Sequence, residues 1–373
     1  MKTTALVVWA LSVILLCGTA AWATSEPIIY PGTPHTPPGT GRLPFLSAAQ
    51  LDALLANTSR LVDPFGTLAP DEVPPATPAV CGRRLDGTAH TVLCDAAPPL
   101  SGIVLVPPRR ATASVVFLHG YTDTPQVYLT MLKVLLSSAP ELWSSTRWVI
   151  PFAPRVPVQL YEAPISNVVY AWYDVSPSAN ASLGDILSSN ETDVAAVKRG
   201  LLTATEDVDR LGLFLSTRRV EAIIAAEHRM LGGGNGLARC HGGPGRQPTG
   251  RVVLAGHSLG GVMVTHVALH SRASLSGVIA LEGFMTDARR LSRVPGTYDD
   301  SHKRGYPVEL VSGGADVTAP PPLVAASAAI VRQLLRRVAR VTYTDLPGVT
   351  HWSFFFAGAD AKAVIGVLRR YLE

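Results

Sequence analysis

The chain has 373 residues, 47% apolar and 16% charged, the make-up of a folded globular protein and not of a disordered one. Its 32 Lys and Arg against 28 Asp and Glu leave a formal charge of +4, with the bases scattered in short runs such as Arg109-Arg110, Arg289-Arg290 and Arg336-Arg337. No stripe of bases interleaved with aromatics occurs, so nucleic acid is not expected as a partner.

In chain order, Lys2 precedes an uncharged, mostly apolar run from Ala5 to Cys17, and Ala21-Trp22-Ala23 has the small-x-small pattern of a cleavage site. The apolar centre is shorter than the roughly 20 residues a membrane span needs, which favours a cleaved signal peptide over residues 1–23 against an uncleaved anchor. The expected mature chain starts at Thr24, is secreted or lumenal, and keeps no stable membrane span. Residues 24–100 are punctuated by prolines (Pro31, Pro34, Pro37, Pro38, Pro64, Pro70, Pro74, Pro75, Pro78), with an amphipathic stretch from Leu46 to Leu61 between the two groups. They are expected to form an extension without chemistry of its own.

An oxidising lumen gives the cysteines and sequons their meaning. With Cys17 lost with the leader, Cys81 and Cys94 are expected to close a disulfide and Cys240 is left over. Asn57, Asn180 and Asn190 each head an Asn-x-Ser/Thr acceptor site for glycosylation.

From residue 101 to 373, apolar runs alternate with helical periods. Strands are expected at Ile103–Val106, Ser114–Leu118, Trp148–Ile150, Val252–Ala255, Val278–Leu281, Val308–Val311 and Val341–Tyr343. Helices are expected near 126–137, 192–214, 217–230, 260–270, 321–338 and 359–371, and a Gly-rich insertion near 232–250. This alternation predicts an α/β domain with a mostly parallel, doubly wound sheet, helices on both faces, and the working loops at the carboxyl ends of the strands.

The sequence Gly256-His257-Ser258-Leu259-Gly260 falls between an expected strand and an expected helix. A serine on such a sharp turn has its hydroxyl exposed above the sheet edge at the positive end of the following helix, and small neighbours are needed two residues to either side. A hydroxyl is a poor nucleophile near neutral pH, so it requires a histidine to take its proton and a carboxylate to orient that histidine. Asp316, just past the strand Val308–Val311, and His351, past the strand Val341–Tyr343, follow the serine in the right order and at the right end of the sheet. Asp345 and Asp287 are the rival acids. The oxyanion formed during acyl transfer needs two backbone donors, for which Leu259, directly after the serine, and Tyr121, in the loop His119-Gly120-Tyr121-Thr122, are the candidates. His119 reads as a structural hydrogen-bonding residue of that loop.

Other signals are weaker. His266 and His270 are four apart on one helix, but Val267 stands where a zinc protease has glutamate, and the glycine clusters precede no Lys-Ser/Thr. No metal and no cofactor is expected.

Several blocks together resemble the α/β-hydrolase family of phospholipases and carboxylesterases that includes the acyl-protein thioesterases. They are Val115 to Gly120 with Asp123-Thr124; Pro151 to Pro154 with Ala171-Trp172-Tyr173-Asp174; the serine turn ending in Gly260-Gly261; and the Asp316 and His351 loops. The resemblance covers roughly residues 103–372. It implies that Ser258, Asp316 and His351 are the catalytic triad, that Tyr121 and Leu259 donate to the oxyanion, and that Trp172 is a wall residue near the substrate. Two departures stand out: the family's Phe-Ser-Gln around the nucleophile is His257-Ser258-Leu259 here, and its loop glycine before the aspartate is Thr122. The expected activity is hydrolysis of a small-molecule or lipid carboxylic ester through an acyl-enzyme. A thioesterase or lipase acting on long acyl chains is the enzymatic rival, and a catalytically silent binding protein the rival of another class.

Overall fold

The computed structural model describes residues 81–95, 100–157, 168–175, 185, 192–204, 208–232, 251–271, 273–293, 306–336, 339–353 and 358–372. The segment expected to be a leader, most of the Pro-rich extension, the asparagines of the three sequons and Cys240 lie outside the described residues.

Among the described residues, eight strands form one sheet: β1 (Thr91–Asp95), β2 (Gly102–Val106), β3 (Ala113–Leu118), β4 (Thr146–Pro151), β7 (Arg251–His257), β8 (Gly277–Leu281), β9 (Tyr306–Gly313) and β10 (Ala339–Leu346). A separate two-stranded ribbon pairs β5 (Arg155–Pro157) with β6 (Val168–Tyr170). The order across the large sheet is β1-β2-β4-β3-β7-β8-β9-β10. The β1/β2 and β2/β4 pairs are antiparallel and every later neighbour is parallel. This is the predicted mostly parallel α/β sheet.

The helices are α1 (Pro125–Ser138), α2 (Pro140–Trp143), α3 (Val194–Thr203), α4 (Arg210–Met230), α5 (Leu259–His270), α6 (Ala288–Leu291), α7 (Pro321–Leu334) and α8 (Gly358–Leu372). Side chains alternate across a strand, and the apolar residues divide accordingly. Val116, Leu118, Leu254, Val278 and Ala280 pack with α3, α4, α5 and α7, while Val115, Phe117, Val253, Ile279 and Leu281 pack with α1 and α8. Strands buried on both faces read as continuous apolar runs, which made β3, β7 and β8 visible in the sequence.

Two expectations are corrected. The two helices expected over 192–214 and 217–230 divide elsewhere, as Val194–Thr203 and Arg210–Met230, because Asp193 caps α3 through Ala195 N–H (2.8 Å) and Asp209 caps α4 through Gly212 N–H (2.8 Å). The sheet also has an unforeseen first strand, β1, within the segment expected to be an extension; its Val92 is fully buried. Cys81 and Cys94, 13 residues apart, form the expected disulfide at this edge. Cross-linking a loop of that size stabilises by about 3 kcal/mol in the chain-entropy picture. Cys81→Ser is therefore expected to lose about that much in urea titrations, with little change in hydrolytic rate, because β2, β4 and β3 separate this edge from β7.

Candidate active site

The parallel strands β3, β7, β8, β9 and β10 deliver their chemistry-bearing residues at one end of the sheet. Ser258 is the single residue between β7 and α5, with φ 55° and ψ −121°. Such a backbone is costly for a residue with a Cβ and persists where neighbours fix it. Here Ser258 N–H donates to Leu281 C=O (2.9 Å), and Ser258 C=O accepts from Val262 N–H (3.0 Å). The turn is crowded: a Cβ on Gly256 would collide with Gly260 C=O, and one on Gly260 with Leu118 C=O.

His351 follows β10, and its Nδ1 donates to Asp316 Oδ2 at 2.8 Å. The two loops are tied together by Gly314 N–H to Leu346 C=O and Ala315 N–H to Val349 C=O, each 2.8 Å. Asp316 Oδ1 accepts from Thr318 N–H (2.6 Å) and Ala319 N–H (3.0 Å), which fixes the carboxylate. Burial pushes the Asp316 pKa up, but the hydrogen bond and charge of His351 and the surrounding donors outweigh it, leaving it below the usual carboxylate value. For His351, burial acts to lower the pKa, and the carboxylates of Asp316 and Glu282 overcome this and raise it to about 9. The structure thus joins His351 to Asp316 and sets Ser258 on the same rim. Among the described residues no hydrogen bond links Ser258 Oγ to the imidazole, and in substrate-free hydrolases that bond is often long.

Leu259 opens α5, so its N–H belongs to the first turn, where no intrahelical acceptor exists and the helix dipole favours negative charge. The loop after β3 lies beside it: a Cβ on Gly120 would stand 3.5 Å from Ser258 Cβ. Tyr121 follows in this loop, and Thr122, at φ 63°, donates its N–H to Tyr170 C=O (3.0 Å). His119 underpins the loop. Its Nε2 accepts from Ala153 N–H (2.9 Å), so Nδ1 carries the hydrogen and donates to Gly120 C=O (2.8 Å). Burial lowers its pKa to about 4, which keeps it neutral.

Trp172 departs from its expected role as a substrate wall. Its ring is fully buried, and its Nε1 donates to His119 C=O (2.9 Å), so it supports the β3 loop from within the core. The rival acids are engaged elsewhere, Asp287 with Arg210 and Arg290, and Asp345 with the Ser312 hydroxyl. His266 is half-buried, with its ring tilted against that of His270 (centroids 4.2 Å apart) and its Nδ1 3.1 Å from Thr217 Oγ1.

Sequence reading missed a buried polar chain behind His351 and Asp316. Glu282, just past β8, places Oε2 2.7 Å from His351 Nδ1 and 3.1 Å from His257 Nε2. His257 Nε2 also lies 2.8 Å from His351 C=O, and its Nδ1 lies 2.8 Å from Tyr128 Oη. Tyr128 Oη in turn accepts from Gly120 N–H (3.0 Å) and lies 3.0 Å from Asp123 Oδ2. Burial raises the Asp123 pKa despite the nearby His257, Tyr128 and His351. Two signals existed: a histidine where the resembling family has phenylalanine, and a glutamate directly continuing the apolar run Val278–Leu281.

His257, Glu282 and His351 also bring three possible metal-ligand atoms within 4.8 Å of one another. A tetrahedral ion with bonds near 2.1 Å separates its ligand atoms by roughly 3.4 Å. The 2.7 and 3.1 Å contacts here are shorter, as in a hydrogen-bonded cluster, so these residues do not fit a metal as they stand.

A phospholipase/carboxylesterase family model matches residues 213–354, which include the serine turn, Glu282, Asp316 and His351. Over that stretch the chain is similar to this family. It is 28% identical over 182 residues to acyl-protein thioesterase 1 of Cryptococcus neoformans var. neoformans serotype D, covering 49% of this chain and 58% of that protein. It is 25% identical over 263 residues to acyl-protein thioesterase 1 of Neurospora crassa, covering 68% and 84%. The chain therefore spans little more than half the length of the Cryptococcus relative. Among solved structures, Zea mays acyl-protein thioesterase 2 superposes with a TM-score of 0.50 at 17% identity over 72% of this chain and 98% of that one, a likeness of fold.

Proposed function

We propose that this chain is a serine hydrolase of the phospholipase/carboxylesterase kind, cleaving carboxylic esters through an acyl-enzyme. The 2.8 Å contact of His351 with Asp316, on loops beside the strained Ser258 turn, carries the reading. Ser258 Oγ attacks the ester carbonyl while His351 takes its proton at Nε2, and the Leu259 and Tyr121 amides receive the developing oxyanion. His351 then gives that proton to the departing alcohol. Water enters by the same route, losing a proton to His351 and releasing the acid, and Ser258 recovers its hydrogen. Asp316 holds Nδ1–H and stabilises the imidazolium.

The leader pattern expected over residues 1–23 and the Cys81–Cys94 disulfide support action in the secretory pathway or outside the cell, since disulfides persist in oxidising compartments. A thioesterase acting on long acyl chains is the second reading, favoured by the names of the relatives. The test uses the mature chain from Thr24. A fluorophosphonate probe is expected to label it covalently, and Ser258→Ala to abolish the labelling. Across p-nitrophenyl esters and acyl thioesters of increasing length, highest kcat/KM on short esters supports the first reading and on long thioesters the second. Absence of labelling in the folded wild type would leave a binding protein on a hydrolase fold.

A further inference from the structure

We infer that Glu282 is a second carboxylate for His351, a positioning residue that neutralises the imidazolium beside Asp316 and accepts Nδ1–H when Asp316 cannot. The inference rests on the serine-hydrolase reading above. Glu282 Oε2 lies 2.7 Å from Nδ1, within 0.1 Å of the Asp316 Oδ2 distance of 2.8 Å, and both carboxylate side chains are fully buried. The N–H is directed at Asp316, so Glu282 acts first through its charge and takes the bond after a small turn of the ring.

Two features show that this carboxylate is built in. Glu282 has φ +53°, a conformation rarely held by a non-glycine residue, and is fixed there by its N–H donating to Val311 C=O (2.7 Å). Its side chain is confined as well, with His257 Nε2 on Oε2 and with Gly313 on the other side, where a Cβ would come within 2.8 Å of Oε1. A buried carboxylate is costly unless a cation and hydrogen bonds compensate it. Among the described residues, His351 and His257 face it within hydrogen-bonding distance, with Asp316 adjacent and Tyr128 close enough to feel its charge. An apolar residue would extend the buried strand β8 without that cost, so the position makes physical sense as a partner for a histidine that becomes charged during turnover.

In triads with one acid, the Asp→Asn change costs about 10^4 in kcat, because the imidazole is left in the wrong tautomer. Here Asp316→Asn leaves Glu282 to hold Nδ1–H. It is expected to cost less than about 10^2 in kcat on p-nitrophenyl acetate, whereas Asp316→Asn with Glu282→Gln is expected to cost about 10^4. Glu282→Gln alone removes one negative charge facing the ring, leaving Asp316 from the β9 loop, His257 from β7 and Asp123 from the β3 loop. The acid limb of its kcat/KM profile is expected to move at least about one pH unit lower, a change that loosened packing would not produce.

The experiment measures fluorophosphonate labelling, kcat and pH profiles of the mature chain and these variants. Asp316→Asn as inactive as the double variant, in a wild type that labels and turns over, would overturn the role of Glu282 and leave the hydrolase reading intact. An unshifted acid limb in folded Glu282→Gln would also overturn it. A wild type that never labels sinks both. Should Glu282→Gln fail to fold, Asp316→Asn alone decides, because Glu282 is intact in it.

Discussion

His351→Ala is expected to lower kcat by about 10^6-fold while KM changes only a few-fold. In the proposed mechanism the imidazole exchanges a proton with Ser258 and is charged in the transition state, so its loss falls on the chemical step and not on ground-state binding. The same residue sets the pH dependence. Paired with Asp316 and Glu282, it holds its proton up to about pH 9 and can act as a base only after losing it. The wild-type kcat/KM is therefore expected to climb about tenfold per unit from neutral pH and level off near 9. Stability runs the other way: a raised histidine pKa contributes fully below the unfolded value of 6.5, and that contribution is lost as pH rises through about 9. Rates and thermal melts taken from about pH 6 to about pH 10 should cross in this window. A rate that is flat above pH 7 would show that the imidazole is already neutral there.

Much of this architecture is legible in the sequence because strands buried on both faces are unbroken apolar runs, and because a nucleophile turn needs small residues at fixed offsets. Asp316 and His351 could be placed for the same reason, each sitting just past a visible strand. What escaped were contacts that depend on three-dimensional register. Glu282 meets His351 because β8 lies between β7 and β9, with Leu281 level with both His257 and Val311. His257 was noticed as a departure from the family pattern, but its partners, Tyr128 on α1 and Glu282 past β8, are 129 and 25 residues away. Trp172 lies behind the β3 loop and not in the expected substrate wall, because the Ala-Trp-Tyr-Asp block does not reveal which side of that loop the indole occupies. The break between α3 and α4 was written in Asp209, whose side chain serves two amides, Gly212 N–H and Asp174 N–H.

Gly260→Ala is expected to cost more than about 4 kcal/mol of stability, or to prevent folding, and to abolish fluorophosphonate labelling. The added Cβ would run into Leu118 C=O and would stand 2.6 Å from His119 C=O, and both are backbone atoms at the end of β3. They cannot yield as a flexible side chain would. Moving them drags the loop whose Gly120 N–H is bonded to Tyr128 Oη and whose His119 C=O is bonded to Trp172 Nε1. The change therefore strikes the proposed oxyanion loop and the serine turn together, although residue 260 bears no reactive group. Gly366→Ala, in α8 with nothing within 4 Å of the new Cβ, is the matched control and should gain about 0.5–1 kcal/mol from helix propensity. If urea titrations found Gly260→Ala as stable as Gly366→Ala, α5 would have to stand further from β3 than described. The glycine two residues after the serine would then serve something other than the close approach of helix and strand that puts Ser258 beside the β3 loop.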